Sequence, residues 1–191
     1  MKKALKAIAK ELAGHQKRET WSETEVREYK NLMNDPSLPE VLHGRVFGIM
    51  GEKNADGIDA EYKFRTAFQG NSVRAKTGTS PIDLYQEVSS SPVSCVAIRA
   101  VLAISILLKL QVGVCDALQA YLQASISGPY RIPTYVELPR DWWPPSWFVG
   151  GDTTKPKFVR PVCLLKKALY GHPEAGALWG KLFSSVLERQ G

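Results

Sequence analysis

The sequence predicts an α+β fold for this chain of 191 residues. Helical and strand patterns are mixed along it, without the regular alternation that is typical of parallel α/β sheets. Two strand-like runs, 41–50 and 61–69, flank a turn signal at 54–57, which favours a β-hairpin. The composition, 44% hydrophobic and 23% charged, is ordinary for a globular protein and sufficient for a buried core.

Residues 1–40 are predicted to form an N-terminal helical segment that precedes a main domain over 41–191. The apolar and charged spacing of residues 2–13 and 23–33 indicates two helices. Trp21 lies between them, and we expect its ring to pin the two helices together.

The second strand of the predicted hairpin has one basic face. Its aromatic and hydroxyl side chains alternate with Lys63, Arg65 and Ala67, and alternate residues of a strand point to opposite faces. The polar run 70–81 follows, carries Arg74 and Lys76, and is predicted to be a mobile basic loop. The hairpin and this loop are therefore candidate contacts for phosphate groups.

An apolar run at the centre of the chain leads to one acidic residue. Residues 93–110 predict a long buried helix, whose most apolar part is too short for a membrane span of about 20 residues. Residues 111–115 predict a buried strand that ends at Asp116, and 117–124 favour a helix. Two interpretations of Asp116 stay open. It is a helix N-cap, or it is a ligand for a hard cation such as Mg²⁺ at the end of a strand.

The last third of the chain mixes strands, one aromatic loop and a helix. Strands are predicted over 130–138 and 162–165, a turn at Tyr170-Gly171, and a final helix over 173–189. The loop 142–147 holds three Trp residues, which could stack nucleic-acid bases. We favour the other interpretation, a local hydrophobic plug.

The charge of the chain favours phosphate-bearing partners. Its formal net charge is +6 and its pI about 9.2. The basic excess is concentrated in residues 155–191, which include Lys166 and Lys167. A basic surface of this kind attracts nucleic acid, although many proteins of other function share it.

The cysteine pattern argues against a zinc site. Cys95, Cys115 and Cys163 are far apart, and no Cys-x-x-Cys or Cys/His cluster occurs. All three lie in apolar runs and are predicted to be reduced core residues of an intracellular protein. The N-terminus lacks the pattern of a secretory signal peptide, so we expect a cytoplasmic or nuclear location and no membrane contact.

Several short motifs follow one another in a fixed order along the chain. They are Tyr62-Lys63-Phe64-Arg65, Ile82-Asp83-Leu84-Tyr85, Ser91-Pro92-Val93, Ile98-Arg99, Asp116-Ala117-Leu118-Gln119-Ala120-Tyr121-Leu122, Tyr135-Val136-Glu137-Leu138-Pro139, and Val162-Cys163-Leu164-Leu165-Lys166-Lys167-Ala168-Leu169-Tyr170-Gly171 with Trp179. In this order and spacing the chain resembles the reverse transcriptase of Ty1/copia-type retrotransposon Pol polyproteins. The resemblance covers nearly the whole chain.

The resemblance implies a right-hand polymerase fold, in which 41–191 would hold the fingers hairpin and the first half of the palm. It implies RNA-directed DNA synthesis, the nucleotidyl transfer of dNTPs onto a primer by a two-metal mechanism with Mg²⁺. The implied partners are an RNA template, an RNA–DNA duplex, dNTPs and the rest of the Pol polyprotein.

The resemblance also implies roles for individual residues. Asp116 matches the first catalytic, metal-binding carboxylate, and the small Ala117 would let the triphosphate approach the backbone. Tyr121 matches the aromatic residue that excludes a 2′-OH and so selects deoxynucleotides. Arg65 matches the fingers arginine on the incoming triphosphate, a forked donor suited to phosphate. Lys63 is a second candidate for that work, or is a solvated strand lysine.

Two departures from the family pattern limit the expected activity. Glu174 stands where the family has a Gln beside the incoming nucleotide, and a carboxylate there is unfavourable next to triphosphate oxygens. No Asp-Asp pair occurs in the sequence, so the second catalytic motif, an aromatic-x-Asp-Asp, is missing. We therefore expect a chain truncated before that motif, inactive by itself and with weak or absent Mg²⁺ binding.

Two other interpretations remain. The chain could be a non-catalytic, basic nucleic-acid-binding remnant of a decayed retroelement, which uses the hairpin, Arg74, Lys76, and the basic tail with Lys166 and Lys167. It could also be a product without function, whose unfinished sheet exposes an edge that promotes aggregation.

Overall fold

The structure, a computed structural model, describes residues 2–53, 61–85, 93–128 and 131–190. In chain order, the helices and strands are α1 (Lys2–Lys17), β1 (Trp21–Glu28), α2 (Tyr29–Met33), β2 (Leu42–Lys53), β3 (Glu61–Phe68), β4 (Arg74–Ala75), α3 (Pro81–Leu84), α4 (Cys95–Leu107), α5 (Ala120–Gln123), β5 (Thr134–Glu137), β6 (Pro161–Leu165) and α6 (Ala175–Gln190).

One mixed sheet of six strands organises these elements. Its strand order is β1-β6-β5-β2-β3, and the short β4 pairs with β2. β2 and β5 run parallel, whereas the other neighbouring strands are antiparallel. Helices and strands are thus combined around one sheet, and the predicted α+β class is confirmed.

The predicted hairpin is present and longer than expected. β2 and β3 pair in antiparallel register from Val46 opposite Phe68 to Lys53 opposite Glu61. Thr66, Ala67 and Phe68 are buried, whereas the outer half of β3 is more exposed. The predicted turn at 54–57 lies outside the described residues.

The predicted helix over 23–33 is wrong along most of its length. Trp21–Glu28 is strand β1, which pairs with β6, and only the five residues of α2 are helical. The backbone bonds to β6 and a hydrogen bond from the Trp147 indole Nε1 to the Glu23 carbonyl (2.9 Å) stabilise the strand. Tertiary pairing therefore overrides the local helix propensity of a Glu-rich run.

Trp21 does not pin two helices together, because it begins a strand. Its ring instead stacks on the His15 ring of α1, with the ring centroids 4.8 Å apart. The His15 Nδ1 is 3.0 Å from the Thr20 hydroxyl, which fixes the end of α1 against the start of β1. Residues 1–40 thus contribute a strand to the same sheet as the strands of 41–191.

The loop over 142–147 is a hydrophobic plug, as favoured from the sequence. Trp147 is only 1% exposed and joins the main apolar core with Val136, Cys163 and Leu165 of the sheet. The Trp143 Nε1 donates to the Leu138 carbonyl at 3.1 Å. Both indole N–H groups therefore have protein partners, which lets these large rings be buried.

The central apolar segment departs most from prediction. The helix expected over 93–110 forms as α4, but nearly all of its apolar side chains are exposed, so its predicted burial is wrong. The predicted strand over 111–115 is also wrong, because these residues have no regular structure and Val114 is 97% exposed. No helix in the described ranges is both long and apolar enough to cross a membrane.

The cysteine prediction holds for one residue of three. Cys163 is buried in β6, whereas Cys95 and Cys115 lie in the exposed central segment. Both exposed cysteines have apolar neighbours in sequence, but the described elements leave them uncovered. Their predicted place in the core is therefore wrong.

The C-terminal elements match the predictions closely. β5 is shorter than the predicted strand over 130–138, while β6 and α6 agree with theirs within a few residues. Gly171 forms the predicted turn with φ 85°, a conformation that L side chains rarely adopt. A Cβ atom there would lie 2.3 Å from the Phe68 carbonyl oxygen, so the turn also requires the absence of a side chain.

Candidate nucleic-acid and phosphate-binding surfaces

A groove between α1 and the β2–β3 hairpin is strongly basic. Lys3, Lys6 and Lys10 recur at helical spacing and so share one face of α1. Lys53 of β2 and Lys63 of β3 face them across the groove, which has a volume of about 810 Å³. Of the predicted site residues, Lys63 is therefore the one that the fold adds to a larger cluster of lysines.

Two acidic residues, Glu11 and Glu61, also line this groove. The Glu11 carboxylate is already tied to the fold, since it lies 3.7 Å from the His15 Nε2 and accepts the Thr66 backbone N–H at 3.4 Å. The contact with His15 outweighs the effect of burial and holds the pKa of Glu11 below its usual value. The groove keeps a basic excess.

Aromatic side chains accompany the lysines. Tyr62 and Phe64 of β3 line the groove and are half-buried. The Phe64 ring is anchored edge-on against Trp142, with ring centroids 5.8 Å apart. Lysines that follow a phosphate backbone and aromatic rings on which bases stack are the features of sites for single-stranded nucleic acid.

Asp116 does not line this groove, although Gln119, three residues further on, does. Asp116 is exposed, and it stands in the irregular segment 110–117 instead of at the end of a strand. It is not the N-cap of α5 either, because Gln119 occupies that position in the left-handed conformation. The helix predicted over 117–124 is reduced to the four residues of α5.

The described residues contain no group of three or more His, Cys, Asp or Glu side chains that could hold a metal ion. Mg²⁺ prefers one or two carboxylates together with substrate phosphates. Asp116 supplies one carboxylate, and it belongs to no group of three or more such side chains among the described residues. Mg²⁺ therefore stays a prediction from the sequence resemblance.

The residues that follow Asp116 lie in two different surroundings. Ala117 is exposed with the rest of the irregular segment. Tyr121 of α5 is half-buried against the main core, and its ring centroid is 6.3 Å from that of Tyr170.

Arg65 is exposed on β3, and its charge contributes to the lowered pKa of Glu11.

Glu174 is buried and paired. The Arg131 Nη1 donates to its carboxylate at 3.2 Å, and the Glu174 backbone N–H donates to the His172 Nδ1 at 3.2 Å. Burial, and then the charge of Glu174, raise the pKa of the Tyr85 hydroxyl. Arg131 thus balances the carboxylate that the family resemblance would put beside a triphosphate.

The basic residues predicted to contact nucleic acid differ in their freedom. The Lys76 Nζ donates to the Asp35 and Leu38 carbonyl oxygens at 2.5 and 2.6 Å, so this ammonium group fastens the chain around β4. Lys166 and Lys167 are half-buried, and their backbone N–H groups both donate to the Thr20 carbonyl.

Arg74 is exposed and belongs to a second basic surface. It lines a cavity of about 340 Å³ with His43 and Arg45 of β2 and Arg160, which precedes β6. The pairing of β2 with β4 places Arg74 opposite His43. Residues that are far apart in sequence are thus brought together around one small cavity.

Sequence reasoning missed most of both surfaces. The repeat of Lys3, Lys6 and Lys10 was a readable signal, because this spacing puts three ammonium groups on one helix face. Arg45 and Arg160 carried no such signal, since only the sheet topology makes them neighbours.

Comparisons with known proteins add no family to this description. No protein-family profile matched the chain, and searches of curated proteins and of solved structures found no match either.

Proposed function

We propose that this chain is a nucleic-acid-binding segment of a retrotransposon Pol polyprotein, similar to the fingers and first half of the palm of an RNA-directed DNA polymerase. In the complete polymerase it would help to position template and primer for nucleotidyl transfer. By itself it binds nucleic acid and does not extend a primer. The polymerase part of this proposal is supported by the ordered sequence motifs.

The observation that carries the binding part is the groove between α1 and the hairpin. It presents Lys3, Lys6, Lys10, Lys53 and Lys63 along one channel, with Tyr62 and Phe64 beside them. A strand of nucleic acid that entered it would release counterions from its phosphates, which makes the affinity strongly salt-dependent.

Fluorescence anisotropy with a labelled single strand and with an RNA–DNA duplex tests the groove. The triple variant Lys3→Gln/Lys6→Gln/Lys10→Gln should weaken single-strand binding at low salt. It should also reduce the slope of log K against log salt by about 2, because each phosphate that is neutralised on a single strand accounts for roughly 0.7 of the slope. Lys17→Gln is the matched control, since Lys17 is exposed on the same helix outside the groove.

Two results would contradict the proposal that the groove binds nucleic acid. One is the absence of binding by the unaltered chain at low salt. The other is a loss of slope in the triple variant that is no more than three times the loss in Lys17→Gln, since a diffuse charge effect scales with the number of lysines replaced. A change in slope confined to the triple variant supports the groove.

The second candidate function is that of a non-catalytic remnant, and the surroundings of Asp116 favour it. Its carboxylate is exposed, lies outside the sheet and belongs to no described metal-binding group. On this alternative, the affinity for an RNA–DNA duplex survives Asp116→Asn. Extension of a primed RNA template by this chain alone, abolished in Asp116→Asn, would overturn both the remnant and the expected lack of activity.

A further inference from the structure

The cavity beside β4 is partly open to solvent and is lined mainly by basic and polar side chains, with Val73 as its apolar member. His43, Arg45, Gln69, Ser72, Arg74 and Arg160 line its volume of about 340 Å³. That volume is at the lower end of the range of about 300–1,000 Å³ for ligand sites. The cavity shares no residue with the groove at α1.

The cavity has more positive than negative charge. One carboxylate, that of Glu137, pairs with arginines of the cavity. Its Oε2 accepts hydrogen bonds from the Arg160 Nε (3.0 Å) and Nη2 (2.9 Å). The same oxygen is 3.6 Å from the Arg45 Nε. Arg74 forms no ion pair with any described residue. Three guanidinium groups thus line the cavity while one carboxylate pairs with two of them, and positive charge is left for an anion.

Arg160 is held in a fixed orientation. Its guanidinium lies over the Tyr29 ring, 3.9 Å from the ring centroid, while Glu137 holds two of its nitrogens. Within the described parts of the chain, no hydrogen bond occupies its Nη1. A planar donor that is already oriented loses less entropy when it binds a phosphate oxygen.

His43 is a second and independent sign of a ligand. It is 3% exposed, and its Nε2 is buried without a hydrogen-bond partner among the described residues. The nearest acceptor of note, Glu137 Oε2, is 3.6 Å away, and the ring itself packs edge-on against Tyr29 with centroids 4.7 Å apart. Buried polar atoms normally have a partner, so an unpaired one that lines a cavity calls for an explanation.

We infer that this cavity binds one phosphate-class anion, held by Arg45, Arg74 and the free Nη1 of Arg160, with His43 as a further donor. Gln69 and Ser72 supply neutral polar groups at the same wall. Charge-assisted bonds from forked guanidinium groups are the strongest that a protein offers to phosphate oxygens. The anion is a free phosphate or a phosphate of a nucleic acid, and only the second source rests on the proposed function.

Titration of the chain with inorganic phosphate, followed by NMR of the His ring protons and by calorimetry, tests the site. Phosphate should shift the His43 signals and bind at least tenfold more weakly to Arg74→Gln and to Arg45→Gln. Arg74 and Arg45 are exposed, so we expect both variants to keep the fold, which circular dichroism checks. Arg189→Gln is the matched control, an exposed arginine on α6 away from the cavity. Sodium chloride at equal ionic strength accounts for screening.

The same experiment identifies the source of the anion. A single-stranded oligonucleotide that displaces phosphate from the triple-lysine variant of α1 supports a nucleic-acid phosphate, whereas phosphate binding without such competition supports a free anion. Phosphate that fails to bind, or that binds equally to Arg74→Gln and to the control, overturns the site. Loss of nucleic-acid binding in the triple-lysine variant alone concerns only the groove, so the two proposals fail separately.

Discussion

The sheet with its plug and the central segment 93–119 are both rich in apolar residues, yet they have opposite surroundings. Trp147, Leu165 and Leu169 of the first region are almost completely buried. Ile106 and Val114 of the second are 78% and 97% exposed. The two regions thus separate apolar composition from burial.

The difference shows what burial requires. Residues of β6 are buried because β1 and β5 pair on both sides and the aromatic loop covers them. α4 has a good local signal, including the Ser94 hydroxyl that accepts the Ala97 N–H at 3.1 Å, but nearly all of its surface is left uncovered. A helix can therefore be specified locally while its packing is not. Contiguous exposed apolar surface of this kind marks an interaction site or a tendency to aggregate.

Thiol reactivity should give the largest contrast between the two regions. Cys95 and Cys115 are exposed, whereas Cys163 is 0% exposed and burial raises the pKa of its thiol. Because the thiolate reacts and Cys163 needs unfolding to become accessible, we expect it to be labelled at least ~1,000-fold more slowly than the other two. Stopped-flow labelling with a chromogenic disulfide reagent measures the three rates.

The double variant Cys95→Ser/Cys115→Ser is the control for that measurement. It should lose the fast phase and keep the slow one, and in denaturant all thiols should react alike. A fast phase that includes all three thiols under native conditions would mean that β6 is not the centre of a stable core.

Truncation of one large side chain in each region should give the next largest contrast. Trp147→Ala removes a buried ring from the core and should lower the free energy of unfolding by about 3–5 kcal/mol. Ile106→Ala removes an exposed side chain and should change it by less than about 0.5 kcal/mol. Urea unfolding followed by circular dichroism measures both values.

The outcome for Ile106 is the sharper test of the comparison. A loss above about 1 kcal/mol in Ile106→Ala would mean that α4 packs against another surface in solution. The segment would then no longer differ from the sheet in the way that the structure describes.

The predictable part of the fold is the part that local pattern determines. The hairpin follows from alternation in β3 and the extended run of β2, and α6 follows from helical spacing after a turn. β1 could not be predicted, because its residues pair with β6 across more than half of the chain, with Val26 opposite Cys163. The exposure of α4 was equally hidden, since burial depends on elements elsewhere.

The two candidate surfaces differ in the same way. Lys63 was predicted from its strand, and the lysines of α1 could have been found from their spacing. The cavity could not, since Arg45, Arg74 and Arg160 become neighbours only through the sheet. Glu174 is a different case. The sequence showed an unfavourable carboxylate at this position, but it could not predict that Arg131 pairs with it.

Acidification should lower the stability of the sheet region, and this effect should be smaller than that of Trp147→Ala. Burial lowers the pKa of His43 and of His172 from the usual 6.5 to about 4, with Arg160 and Arg131 as the next causes, and both rings belong to the sheet region. The unfolded chain therefore binds more protons than the folded chain between pH 6.5 and about 4. Stability falls as the pH falls through that window, by roughly 1–2 kcal/mol per ring at pH 5.

The free energy of unfolding, measured at a series of pH values from 7 to 4.5, checks this expectation. His43 also faces Glu137, Arg45 and Arg74, and the carboxylate partly offsets the arginines in the same window. The central segment has no histidine, so loss of structure on acidification should begin in the sheet while the helical signal of α4 persists. A free energy of unfolding that is constant from pH 7 to 4.5 would mean that neither buried ring is coupled to folding. A helical signal that is lost before the sheet would contradict the expected order of the two regions.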